Sequence, residues 1–178
     1  MIEAATIRLR GWQEADLPVL AEMRNDTALQ AQLLARARGS NAAQVRQWLL
    51  DRSTDAHGLL LVIASRDDDT ALGYLQFSEM GNADRRAELG ICLHARAQGR
   101  GAGRDALGAV MPYLRDVWAV RKVSLRVRAD NPRAIACYAR VGFERCGLWR
   151  EHVFIDGGFR DVVLMELFLE GKDPACAS

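Results

Sequence analysis

The sequence predicts a mixed α+β fold: a mostly antiparallel, twisted sheet of about seven strands with helices on both faces. Three observations carry this. The elements run in the order β-α-α-β-β-β-α-β-α-β-β. Three consecutive apolar strands between residues 58 and 94 are joined by short polar turns, as in a meander. A glycine-rich loop, residues 98–103, then leads from the third strand into an amphipathic helix. Segments of period 2 alternating with segments of period 3.6 bury their apolar faces by stacking helices on a sheet. The 178 residues fit one domain over residues 1–170 and a loose polar tail over 171–178.

In chain order, residues 6–10 read as a first strand, with Ile7 and Leu9 on one face. Asp16 suits a helix N-cap, and Pro18 falls in the first turn, where its missing N–H costs little. That helix runs to about Asn25, and residues 27–38 are helical in part. Asn41 caps a further helix that turns Val45, Trp48 and Leu49 inward. Residues 58–65 and 71–80 form a hairpin, and the turn at 81–84 leads to a third strand, 85–94. The helix over 104–119 carries Leu107, Val110, Met111, Leu114 and Val117 on its apolar face. Residues 122–128 alternate as a strand. Asn131 then caps a helix with Pro132 at its first position and Gly142 at its C-terminus. Two last strands, 143–154 and 159–169, meet at a tight turn around Asp156-Gly157-Gly158.

Composition excludes several function classes. Hydrophobic residues make up 49% and charged residues 26%, as in a globular chain, and the net charge is +1. Bulk electrostatics therefore favour neither nucleic acid nor an anionic membrane. No apolar run approaches the roughly 20 residues of a membrane span, and the first residues lack the regions of a signal peptide. The expected location is the cytoplasm. Cys92, Cys137, Cys146 and Cys176, and His57, His94 and His152, have no metal-ligand spacing. No metal and no structural disulfide are expected.

The stretch from Glu88 to Arg104 organises the chain. An apolar strand gives way to Gln98-Gly99-Arg100-Gly101-Ala102-Gly103, and a helix follows. Glycines there let the backbone approach a ligand closely, and the N–H groups at the positive end of the helix dipole make an anion site. The dinucleotide fingerprint G-x-G-x-x-G fails, because Arg104 stands where its last glycine belongs, and no G-x-x-x-x-G-K-[ST] run exists. ATP or NAD binding is therefore disfavoured.

Gln98, Gly101 and Gly103 match [QR]-x-x-G-x-[GA], and this loop resembles the acetyl-CoA pyrophosphate loop of the GNAT acyltransferase superfamily. Two further pieces are similar in the same order: the helix from Asp130-Asn131-Pro132 to Gly142-Phe143, and the closing hairpin 154–161. Together with Ile7-Arg8-Leu9-Arg10 and Glu14-Ala15-Asp16, they resemble the branch holding bacterial ribosomal-protein N-acetyltransferases (RimJ/RimL) and spermidine N-acetyltransferases. The resemblance covers nearly the whole chain and implies the GNAT fold.

The resemblance implies a site. Acetyl-CoA, as acyl donor, would lay its pantetheine arm against backbone groups of Ile91 and Leu93. Its pyrophosphate would sit on the N–H groups of residues 99–104 (Gly99, Arg100, Gly101, Ala102, Gly103 and Arg104), with Gln98 opening the loop. Arg100, Arg104 and Arg140 would add charge, and Asn131 and Ala134 would border the arm. Tyr138, on the face of Asn131 and Ala134, would protonate the departing thiolate. Glu88 is the candidate base for an ammonium that must lose a proton before it can attack; its plainer role is an ion pair with Arg85 or Arg86. Cys92 and Cys137 have no histidine placed to activate them, so the amine would attack the thioester directly, with the oxyanion near the Leu93 N–H. The acceptor is a small-molecule amine or a peptide or protein N-terminus, held by residues 16–55 and the 156–160 turn. In that helical region Arg24, Arg36, Arg38, Arg46 and Arg52 face Glu22, Asp26, Asp51 and Asp55, a balance that argues against a polyamine. Two other readings stay open: a catalytically idle acyl-CoA-binding module and a polyamine acetyltransferase. An exposed final strand leaves room for homodimerisation by sheet pairing.

Overall fold

The computed structural model describes residues 1–81 and 83–170. Asn82 of the expected 81–84 turn, the 171–178 tail and Cys176 lie outside them. The strands are β1 (Ile2–Glu3), β2 (Ile7–Arg10), β3 (Leu59–Ser65), β4 (Ala71–Ser78), β5 (Arg86–Leu93), β6 (Lys122–Arg128), β7 (Glu144–Ile155) and β8 (Gly158–Phe168). The α-helices are α1 (Leu17–Asn25), α2 (Thr27–Gln32), α3 (Ala42–Thr54), α4 (Ala102–Trp118) and α5 (Pro132–Val141). The element types follow the sequence expectation, with one addition. β1 has two residues, too few to show a period, and is held by pairing Ile2 with Leu9 and Glu3 with Arg8.

Local chemistry sets most boundaries. The Asn41 side chain accepts from the Gln44 N–H, and the Gln44 side chain answers at the Asn41 N–H, a reciprocal cap for α3. Asn131 accepts from the Ala134 N–H at 3.1 Å, and Pro132 opens α5. Asp156 and Gly157 have φ of +51° and +75°, the left-handed pair required by the tight turn between β7 and β8. Asp16 departs from expectation. Its side chain makes no cap bond to α1; it is buried and accepts from Arg10 and from the Gln13 N–H, at the end of a short 3-10 turn.

The eight strands form one sheet in the order β1-β2-β3-β4-β5-β6-β8-β7. Among the described strands, only β5 and β6 run parallel, and α4 makes the crossover between them. The final strand β8 lies between β6 and β7, so the free edge at that end is β7. The expectation of an exposed final strand is therefore corrected, because the β7–β8 hairpin inserts its second strand next to β6. One face of the sheet packs Leu75, Leu89 and Val123 against Leu107, Val110 and Leu114 of α4 and Ile135 of α5. The other packs Leu60, Val62 and Tyr74 against Leu20, Met23, Val45 and Leu49 of α1 and α3. Val117, expected on the buried face of α4, is 63% exposed, and Trp118, one residue on, packs against the core instead.

Candidate active site

The site begins where the parallel pairing stops. β5 and β6 pair from Arg86↔Lys122 to Leu89↔Leu125 and no further. Beyond that point Gly90–Leu93 pair only with β4, and Arg126–Arg128 pair only with β8. The two strands splay into a wedge. The His94 N–H donates to Leu72 O at 2.8 Å on the β4 side, and alternate residues of a strand direct their backbone groups to the same side. Ile91 and Leu93 therefore turn their N–H and C=O groups into the wedge, as the sequence reading placed them. Leu93 O accepts from the Gln98 side chain at 3.0 Å, which leaves the Leu93 N–H and both groups of Ile91 facing the gap.

The wedge opens into a cleft of about 620 Å³. Glu88, Ile91, Leu93, Gln98, Gly99, Arg100, Gly101, Ala102, Gly103, Arg104, Asn131, Ala134, Tyr138 and Arg140 all line it. Gly99 and Gly101 have φ of +79° and +88°, and Gly101 is the N-cap of α4. A side chain at either position would be strained. Through this left-handed turn the first N–H groups of a 17-residue helix emerge without a side-chain cap, which suits an anion.

Each side chain adds detail. Asn131 spends Oδ1 on the α5 cap, so only its Nδ2 is left to donate. The Ala134 N–H is taken by the same cap, so Ala134 offers the cleft its methyl group. The Tyr138 ring stands edge-on to Phe143 at 5.9 Å, and burial raises its phenol well above the ordinary range. Among the described residues its hydroxyl has no hydrogen-bond partner. Burial pushes the Cys92 thiol up to about 12 and also raises Cys137, so neither offers a thiolate.

Glu88 meets Arg126, not Arg85 or Arg86. Arg126 Nε and a terminal nitrogen stand 2.7 and 2.6 Å from the same Glu88 oxygen, Oε1. Arg85 instead pairs with Glu170, and Arg86 with Glu79 and Asp84. Ser124 of β6 pairs with Glu88, and Arg126 stands two residues further along that strand, on the same face.

The cleft contains residues that sequence reasoning missed. Arg133 lies against the loop, one terminal nitrogen 3.0 Å from where a Cβ on Gly99 would stand. Its seven-residue spacing from Arg140 was the available signal. Gln76 crosses the bare face of Gly90, and Leu29, Leu33, Leu34 and Arg52 form the opposite wall. The 156–160 turn, expected in the acceptor pocket, does not line the cleft. It is drawn toward β6, where Arg160 stands 3.5 Å from Asp130 and Arg128 stands 4.0 Å from Asp156. Among the described residues no group of three or more His, Cys, Asp or Glu side chains could hold a metal, and no helix is long and apolar enough to cross a membrane.

Comparison with known proteins places this geometry. The family model described as "Acetyltransferase (GNAT) domain" matches residues 6–144. Over 94 residues the chain is 30% identical to the spermidine N(1)-acetyltransferase of Vibrio cholerae serotype O1, covering 53% of this chain and 54% of that protein. Over 102 residues it is 29% identical to the ribosomal protein uS5-alanine N-acetyltransferase of Escherichia coli K12, covering 57% and 53%. The chain thus spans about half the length of the curated relatives it matches. The crystal structure of spermidine N-acetyltransferase from Vibrio cholerae in complex with CoA and spermine superposes with a TM-score of 0.85 over 92% of this chain and 96% of that one, at 21% identity. That likeness shows the same fold.

Proposed function

The chain belongs to the GNAT acetyltransferase family, and on that premise we propose that its cleft binds acetyl-CoA and passes the acetyl group to a primary amine by direct attack. The observation that carries this reading is the wedge. The N–H and C=O of Ile91 and the N–H of Leu93 face a cavity with no strand to pair them, and an amide-bearing arm supplies the missing partner at Ile91. The residues fit the group: the α4 N-terminus takes the pyrophosphate, and Arg100, Arg104, Arg133 and Arg140 surround it with charge. Acetyl-CoA supplies an activated thioester carbonyl at the inner end of the wedge.

The chain's own groups do the rest. The Leu93 N–H polarises the carbonyl oxygen. Glu88 receives the proton of the incoming ammonium, directly or through a water, at the oxygen Arg126 leaves open. The Tyr138 phenol, held protonated by burial, donates to the leaving sulfur. Buried or protonated thiols at Cys92 and Cys137 leave no cysteine for an acyl-enzyme route. A cytoplasmic location is part of this reading. A homodimer, if formed by sheet pairing, would use the β7 edge.

The test is CoA release from acetyl-CoA in the presence of an amine, with the acetylated product identified by mass. Glu88→Gln keeps the shape of the side chain and removes the base. It is expected to lower kcat about 10²-fold with KM for acetyl-CoA unchanged. An unchanged kcat would show that the proton leaves by a route without Glu88. Binding of acetyl-CoA without turnover on any amine would leave only an acyl-CoA-binding module.

A further inference from the structure

We propose that the amine acceptor carries an acidic group, a carboxylate or a phosphate, and that Arg52 receives it, with Arg24 and Arg38 supporting the field. This rests on the acetyl-transfer reading and names the substrate class within it.

Arg52, from the last turn of α3, lines the cleft together with Glu88. It stands on the wall opposite the glycine loop, away from the arginines of α4 and α5 that suit the donor phosphates. Arg24 is held in place nearby. Its guanidinium carbon lies 4.2 Å from the centre of the Trp48 ring, and Trp48 stands edge-on to Tyr74 at 5.2 Å. Arg24 Nε is buried and has no hydrogen-bond partner. Burial, with Arg38 and Arg52 adding to it, disfavours the charge on Arg24, so Arg24 stands in the field of both.

The carboxylates of the same region keep their charge, but none stands in an ion pair with Arg24, Arg38 or Arg52 among the described residues. Glu14 pairs with Arg46, and Glu22 with His94. Asp26 caps α2, Asp51 accepts from Gln47, and Asp55 accepts from the His57 N–H. Among the described residues, Arg24, Arg38 and Arg52 form no ion pair. A cation on the cleft wall with no ion-pair partner, as Arg52 is, repels the second charge of a polyamine. It attracts an acid, and the planar guanidinium matches carboxylate and phosphate geometry. An amine bearing an acid would turn its ammonium to Glu88 and its acid to Arg52.

The test compares acids with their uncharged counterparts, using the full chain at saturating acetyl-CoA and reading CoA release. Glycine, β-alanine and 4-aminobutyrate are each paired with their primary amides, phosphoethanolamine is paired with ethanolamine, and spermidine is included. The acids of at least one pair type are expected to exceed their neutral partners about tenfold or more in kcat/KM. Arg52→Gln is expected to bring that ratio close to one. Each ratio is read within one protein preparation, so any loss of folded enzyme cancels. Neutral partners or spermidine turned over as well as the acids, or a ratio that survives Arg52→Gln, would overturn the proposal. CoA release with none of these amines, acidic or neutral, would overturn this proposal, and the transfer reading beneath it would fall only if peptide N-termini were refused as well.

Discussion

Replacing Tyr138 by Phe is expected to lower kcat about 10²- to 10³-fold while leaving the melting temperature and the affinity for acetyl-CoA close to those of the parent chain. The ring does the packing, edge-on to Phe143 and against the core around Ile135, and Phe keeps that ring. The hydroxyl bonds to no described residue, so its removal orphans no protein group, and the usual stability cost of deleting a buried hydrogen bond does not arise. The loss falls on the step that needs a proton at the leaving sulfur, for which general acid catalysis supplies about 10²- to 10⁴-fold. Burial raises the Tyr138 phenol, so the acid form persists as the solution becomes basic. A falling alkaline limb from this group should therefore appear only above about pH 10, the value for an unburied phenol. Stopped kinetics of CoA release across pH 6–10 read both effects. An unchanged kcat in Tyr138→Phe would remove Tyr138 from the role, and an alkaline limb near neutrality that disappears with the hydroxyl would keep the role and contradict the raised phenol.

The second large effect concerns stability. Asp16 is 3% exposed and Arg10 is 8% exposed. Their fork-to-fork contact spans 2.8 and 3.0 Å, and Asp16 also accepts from the Gln13 N–H at 2.8 Å. Arg10 reaches Asp69 on the β3–β4 turn as well, at 3.0 Å. One buried network thus joins β2, the entry to α1 and a hairpin turn. Asp16→Ala leaves a buried guanidinium with Asp69 as its one carboxylate, beside the carbonyls of Gly11 and Asp69, and frees the Gln13 amide. The cost expected for breaking a buried pair is about 3 kcal/mol, which at this chain length lowers the melting temperature by roughly 6–12 °C. Replacing both partners by apolar residues of similar size, Asp16→Leu with Arg10→Met, should recover much of that loss, because no charge is then left unpaired. A drop of under about 2 °C for the single variant would mean that Asp69 and solvent already satisfy Arg10.

Much of the site was legible because local rules write it. Gly99 and Gly101 mark the left-handed turn that opens α4 at the cleft. Asn131-Pro132 and Asp156-Gly157 are capping and turn chemistry that needs no tertiary context, and each stands where the sequence reading put it. What escaped depends on contacts between distant segments. Glu88 meets Arg126, 38 residues away, because β5 and β6 run parallel, and no local pattern announces that pairing. Asp16 looked like a cap and became half of a buried ion pair because β2 brings Arg10 beside it. The 156–160 turn left the cleft, and β8 left the sheet edge, for the same reason: strand order is set by the closing hairpin as a unit. The wall of Leu29, Leu33, Leu34 and Arg52 arises where α2 and α3 cross the sheet, and the short six-residue α2 carries too few positions to display a face.

The wedge between β5 and β6 is the centre of the account, and amide hydrogen exchange at Ile91 and Leu93 tests it most directly. Without ligand these N–H groups face a cavity and should exchange faster than those of Gly90 and Cys92, which pair with β4. With saturating acetyl-CoA the exchange at Ile91 and Leu93 should slow markedly, while that of Gly90 and Cys92 changes little. Equal exchange at Ile91 and Leu93 with and without acetyl-CoA would contradict the claim that the donor's arm completes the sheet at this gap.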